Sequence, residues 1–136
     1  MLGIFATTAA AAPQRFTTVR DVELAFAREG QPLHKTSPNF TKPALTKLRS
    51  HLRAALLNNQ HSARTFTALW VWVFDSSASA REAQTAEPSL AERRPSKEVT
   101  ATSTTFRGFV HRQGNVIVSG GYDRWHAALG ALAHLH

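Results

Sequence analysis

Cysteine is absent from the 136 residues, and methionine and tyrosine occur once each. Without cysteine there are no disulfide frameworks, thiolate zinc sites or cysteine nucleophiles, and the compartment is left open. A single domain of this length buries about two thirds of the surface its unfolded chain exposes, so its stability requires neither metal nor disulfide. Acidic residues are scarce and unevenly placed. Nine Asp and Glu stand against sixteen Lys and Arg, giving +7, and none lies between Glu29 and Asp75. Lys35, Lys42, Lys47, Arg49, Arg53 and Arg64 all fall in that interval, so one third of the chain supplies six of the seven net charges.

The strongest apolar feature is Ala68 to Phe74, Ala-Leu-Trp-Val-Trp-Val-Phe. It is too short to cross a bilayer as a helix, and its β-branched and aromatic content favours a strand. Leu69, Val71 and Val73 would face one side, and Trp70, Trp72 and Phe74 the other, which places the strand at 68–75 centrally with both faces covered.

Around it the chain divides as follows. Residues 1–13 combine Leu2-Gly3-Ile4-Phe5 with a run of small residues before Pro13. They read as the remnant of a secretory signal peptide or as a disordered tail, which would make the protein extracytoplasmic in the first case and cytoplasmic in the second. Residues 14–136 read as one α+β domain. A helix is expected over 19–29, capped by Thr18 with Asp21 completing a capping box and closed by Gly30. A short edge strand near Gln31 to Lys35 follows, limited by Pro32. A second helix is expected over 42–57, with Leu45, Leu48, Leu52, Ala55 and Leu56 on one face. Asp75, Ser76 and Ser77 supply caps for a helix over 78–86, and Asp75 is the favoured N-cap. Residues 87–104 are polar and read as a long mobile loop or excursion. A hairpin over 105–119 turns at Gly114, and a last helix spans 123–135 with Trp125, Ala128, Leu129, Leu132 and Leu135 as its buried stripe. The whole is a small, mainly antiparallel sheet packed with helices, close to a split β-α-β arrangement.

Val19-Arg20-Asp21-Val22-Glu23, Phe74-Asp75-Ser76 with Ala80-Arg81-Glu82-Ala83, Arg112 to Val118, and Ala127 to Leu132 resemble a group of small bacterial α/β proteins. Many members of that group begin with an export signal. The resemblance implies export and carries no activity, since the shared residues are signatures of the fold.

Chemistry is thinly represented. The seven histidines, His34, His51, His61, His111, His126, His134 and His136, show no i, i+4 pair with an intervening glutamate, so no metal site is expected and no cofactor is called for. Ser119-Gly120-Gly121 before the last helix has the look of a phosphate-binding turn, but Asp123 would repel an anion there. Asp75, at the end of the central strand, is where α/β enzymes keep a catalytic carboxylate.

The basic segment is the candidate binding surface. On a helix over 42–57, Lys42, Arg49 and Arg53 share one flank and Lys47 lies on the other, with Arg64 following. An acidic protein surface, nucleic acid or anionic lipid would suit these cations. Three functions are therefore expected, in this order: a non-catalytic binding or interaction domain, a nucleic-acid binder using residues 35–64, and a hydrolase centred on Asp75 with a histidine.

Overall fold

The computed structural model describes residues 16–38 and 43–135. Helix α1 (Val19–Arg28) leads to strand β1 (His34–Thr36), the short helix α2 (Pro43–Thr46) and a 3-10 turn at Arg49–His51. Strands β2 (Leu52–Asn58) and β3 (Leu69–Phe74) follow, then helix α3 (Ser77–Ala86), a 3-10 turn at Pro88–Leu90, and strands β4 (Ser96–Val99) and β5 (Thr104–Arg107). Strands β6 (Phe109–Gln113) and β7 (Val116–Gly120), a 3-10 turn at Tyr122–Arg124 and helix α4 (Trp125–Ala133) complete the order. The main sheet is antiparallel with strand order β1-β2-β3-β7-β6, and β4 and β5 form a separate ribbon. The molecule is thus a small α+β fold with a mainly antiparallel sheet.

Strand β3 lies in the centre of the sheet, and its two apolar faces feed two cores. Leu69, Val71 and Val73 meet Val22, Ala25 and Phe26 of α1 and Ala128, Ala131 and Leu132 of α4. Phe74 and Trp72 meet Ala80 and Ala83 of α3, together with Leu45, Leu48 and Leu90. Each fully buried Phe, Leu or Val contributes about 1.5–3 kcal/mol relative to exposure, so a strand apolar on both faces is stable only between two such layers. Helix α1 carries the expected box: Thr18 Oγ1 accepts from Asp21 N–H and the Asp21 carboxylate accepts from Thr18 N–H. Gly30 takes φ +70° after it, as a left-handed helix stop requires.

Four expectations are corrected. The described part of the segment expected as a helix over 42–57 is α-helical at Pro43–Thr46 and 3-10 at Arg49–His51, and from Leu52 it is strand β2, paired with β3. Its apolar spacing satisfied a helical period by coincidence. Leu52 and Leu56, four apart, would share a helix face, yet they enter opposite cores. The switch is made by a bulge in the register, where Leu52 opposes Phe74 and Ala54 opposes Val73, leaving Arg53 as the extra residue.

The hairpin expected over 105–119 is shifted. It runs from Phe109 to Gly120, while Thr104–Arg107 diverges to pair with Ser96–Val99. The chain divides at Gly108, where an added Cβ would collide with the carbonyl oxygen of Gly120. The turn itself is as expected, with Gly114 at φ +59° in the first central position of a two-residue loop. Within residues 87–104, Leu90 is buried, Arg93 bridges to Val110 and Ser96–Val99 is strand β4.

The cap of α3 is Ser76, whose hydroxyl accepts from Ser79 N–H at 3.0 Å, and Asp75 is free for another role. In α4, Leu129 is 39% exposed while Ala131 is buried in its stead. The Asp123 carboxylate accepts from Phe66 N–H and Thr67 Oγ1. The expected signal remnant at 1–13 lies outside the described residues.

Candidate functional site

The two outer edges of the sheet are finished differently. At β6, Arg93 and Val110 exchange backbone hydrogen bonds of 2.9 Å, and the Glu92 carboxylate accepts from Arg112 N–H at 2.5 Å and His111 Nδ1 lies 3.1 Å from it. Burial alone would raise the Glu92 carboxyl, but hydrogen bonds from Gln84, Arg112 and His111 outweigh it and hold the group below its ordinary value. That edge is closed by a carboxylate that stays ionised. At β1, no described residue bonds to the outer side of the strand.

A groove of about 490 Å³ opens where β1 and the start of β2 part, lined by Lys35, Thr36, Ser37 and Pro38 on one side and by Arg49, Leu52, Arg53, Ala54 and Ala55 on the other. Lys35 is brought there by its register with Leu56 on β2. Arg53 is there because it is the bulged residue, unpaired in the ladder between β2 and β3. Arg49 is there because the 3-10 turn ahead of β2 is tied down. His51 carbonyl accepts from Asp75 N–H at 2.8 Å, and His51 Nδ1 lies 2.8 Å from Asp75 Oδ2. Among the described residues no carboxylate lies within ion-pair distance of Lys35, Arg49 or Arg53, and all three are exposed.

The expected site residues are thereby divided. Arg49 and Arg53 come together, joined by Lys35. Lys47 is occupied, paired with Glu82 of α3 at 3.2 Å. Arg64 lies in the turn at 62–65 beyond the opposite end of β2, where Arg64 N–H donates to Ser62 Oγ. Lys42 falls outside the described residues. Among the described residues the cationic flank expected on a helix over 42–57 does not form, because the backbone is a 3-10 turn at Arg49 and a strand from Leu52.

Asp75 and His51 form the pair that a hydrolase reading requires. The hydrogen bond from His51 lowers the Asp75 carboxyl below its ordinary value against the opposing effect of burial, with further help from Ser79 and Ser76. The hydroxyls beside them are those of Ser79 and Ser76. Ser79 Oγ donates to Asp75 Oδ1 at 3.0 Å and Ser76 Oγ to Ser79 Oγ at 2.9 Å, so both hydroxyls are engaged with the carboxylate side of the pair. Neither the groove at β1 nor a second cavity of about 410 Å³ beside α1, lined by Phe16, Asp21, Arg28 and His134 among others, includes Asp75 or His51. The pair clamps the turn that carries Arg49.

Arg124 was not singled out from the sequence, and it is the largest fully buried side chain, 1% exposed. Its guanidinium donates to Thr67 O at 2.7 Å, Gln60 O at 2.7 Å, Asn58 Oδ1 at 3.0 Å and Gln31 Oε1. All four acceptors are neutral. Burial pulls this guanidinium below its ordinary value, and the charge of Asp123 opposes that shift. A Tyr-Asp-Arg-Trp stretch at the start of a helix gives no local sign that its arginine points inward, since the acceptors come from four distant positions.

No family model, curated protein or solved structure matches this chain.

Proposed function

We propose that this protein is a non-catalytic binding module that receives an acidic, extended polypeptide segment along β1. The observation that carries this reading is the coincidence of a sheet edge that no described residue pairs with and three cations that no described carboxylate neutralises. A strand added to an edge gains main-chain hydrogen bonds, and side chains at alternate positions give specificity. Acidic side chains of such a segment would meet Lys35, Arg49 and Arg53 in the groove. The same edge disfavours a second copy of this chain, because β1 is three residues long, carries Lys35 and is flanked by Pro32 and Pro38. Charge thus selects the partner as well as attracting it.

The test is titration with a short peptide alternating Glu and Val, followed by amide hydrogen exchange. Binding is expected to weaken as salt rises, to fall at least tenfold in Arg49→Glu/Arg53→Glu, and to slow exchange at β1. A peptide N-methylated at alternate positions keeps the charge but cannot form a ladder, and is expected to bind far more weakly. Equal binding of the methylated peptide, or exchange unchanged at β1, would sink the reading.

A further inference from the structure

Among the described residues, four Phe, Tyr or Trp side chains are more than a third exposed, and three of them gather at one turn. Tyr122 (38% exposed) lies in the turn between β7 and α4, and the ring of Phe106 (49% exposed) packs on it with centroids 5.1 Å apart. Phe66 (66% exposed) is fixed to the same turn through its N–H, which donates to Asp123 Oδ2 at 2.5 Å. The next residue, Thr67, packs so closely on Gly121 that a Cβ there would collide with it. Large aromatic side chains are normally spent in the core. These three are tied together at the surface, Phe66 through its backbone N–H to Asp123 and Phe106 through its ring contact with Tyr122.

Cations accompany the rings. Lys97 opposes Phe106 in the β4–β5 ribbon, and its Nζ stands 5.8 Å from the centre of that ring. Arg64 is two residues before Phe66. The neighbouring acids do not compete. Glu98 alternates with Lys97 and so takes the opposite ribbon face, while Asp123 is occupied by Phe66 N–H and the Thr67 hydroxyl. Hydrogen bonds from both of those partners keep the Asp123 carboxyl below its ordinary value, although burial works the other way.

We infer that the surface formed by Phe66, Phe106 and Tyr122, with Lys97 and Arg64, is a stacking platform for single-stranded nucleic acid. Exposed π-faces accept successive bases without regard to sequence, and interleaved cations meet the phosphates. A double helix keeps its bases stacked on each other and offers these rings nothing to stack on. The platform is separate from the groove at β1. The two lie at opposite ends of β2, since Phe66 precedes the Leu69 that opposes Asn58, and Arg53 adjoins the Leu52 that opposes Phe74.

The experiment compares an oligothymidylate with an abasic oligomer of equal length and charge, by fluorescence anisotropy at two salt concentrations. The oligothymidylate is expected to bind about tenfold or more tightly than the abasic chain. That difference should vanish in Phe106→Ala/Tyr122→Ala, whose fold is checked by circular dichroism, and should persist in Arg49→Glu/Arg53→Glu. Equal affinity for the two oligomers, absence of binding at low salt, or a preference that survives loss of the rings would each overturn the inference. A preference removed by the groove variant instead would overturn it too, by placing the strand in the groove.

Discussion

Strand β2 runs between two groups of cations that are used in opposite ways. Beyond its Asn58 end, Arg124 is buried and has taken the oxygens of Gln31, Asn58, Gln60 and Thr67. At its Leu52 end, Arg49 and Arg53, with Lys35 across the groove, are exposed and have taken no carboxylate among the described residues. The same side chain therefore does two kinds of work within one small domain. A guanidinium that satisfies four neutral acceptors adds no charge recognition, and its desolvation is offset only by the loops it gathers. A guanidinium left in water contributes almost nothing to stability and keeps its field for a partner.

The sharpest way to break this contrast is at the buried end. Arg124→Ala strips donors from four acceptors at once, and with about 1–3 kcal/mol for each buried group left unpaired, a loss of at least about 3 kcal/mol is expected. Chemical denaturation would measure it. Arg124→Lys is expected to recover only part of the loss, because an ammonium lacks the planar fork. Next in size is Gly108→Ala, where the new methyl meets the Gly120 carbonyl, a backbone atom with no freedom to yield. Overpacking of this kind costs about 1–3 kcal/mol, and the melting temperature should fall accordingly.

The open end answers to smaller forces. The Asp75 carboxyl is lowered in the folded state, so its contribution is complete above its ordinary value of about 3.9 and is lost as pH falls through the folded value. Stability measured against pH should therefore decline below about pH 4, and Asp75→Asn, about 1 kcal/mol less stable at neutral pH, should show a shallower acid limb. Smallest of all is the effect of Arg49→Glu/Arg53→Glu on folding, expected within about 0.5 kcal/mol for each exposed substitution, while the peptide binding described above collapses. A large loss of stability in that variant would erase the distinction between the two ends.

Much of this arrangement was legible in the sequence. The doubly apolar run at Leu69–Phe74 announced a central strand with two covered faces, and Thr18 with Asp21 and Gly30 marked both ends of the first helix. Of the cations concentrated between Glu29 and Asp75, Lys35, Arg49 and Arg53 line one groove. What stayed hidden was whatever depends on pairing between distant segments. The helical period of Leu45, Leu48, Leu52 and Leu56 is a local signal, and it yields to the ladder with β3, which no window of sequence contains. Lys35 joins Arg53 only through the register of β1 on β2. Arg124 and the exposed ring of Tyr122 are separated by a single residue, and nothing local tells which side chain turns inward.

The bulge at Arg53 keeps the charge of the groove apart from the parity of the strand. Because Arg53 is the one residue by which β2 exceeds its partner, deleting it would make Leu52 and Ala54 neighbours on alternate faces and leave Leu52 opposite Phe74 in the core they share. A substitution at this position changes the cation and keeps the bend. A deletion removes both and lets the ladder run regularly, so Arg53 is carried by the strand for its surface and not for its core.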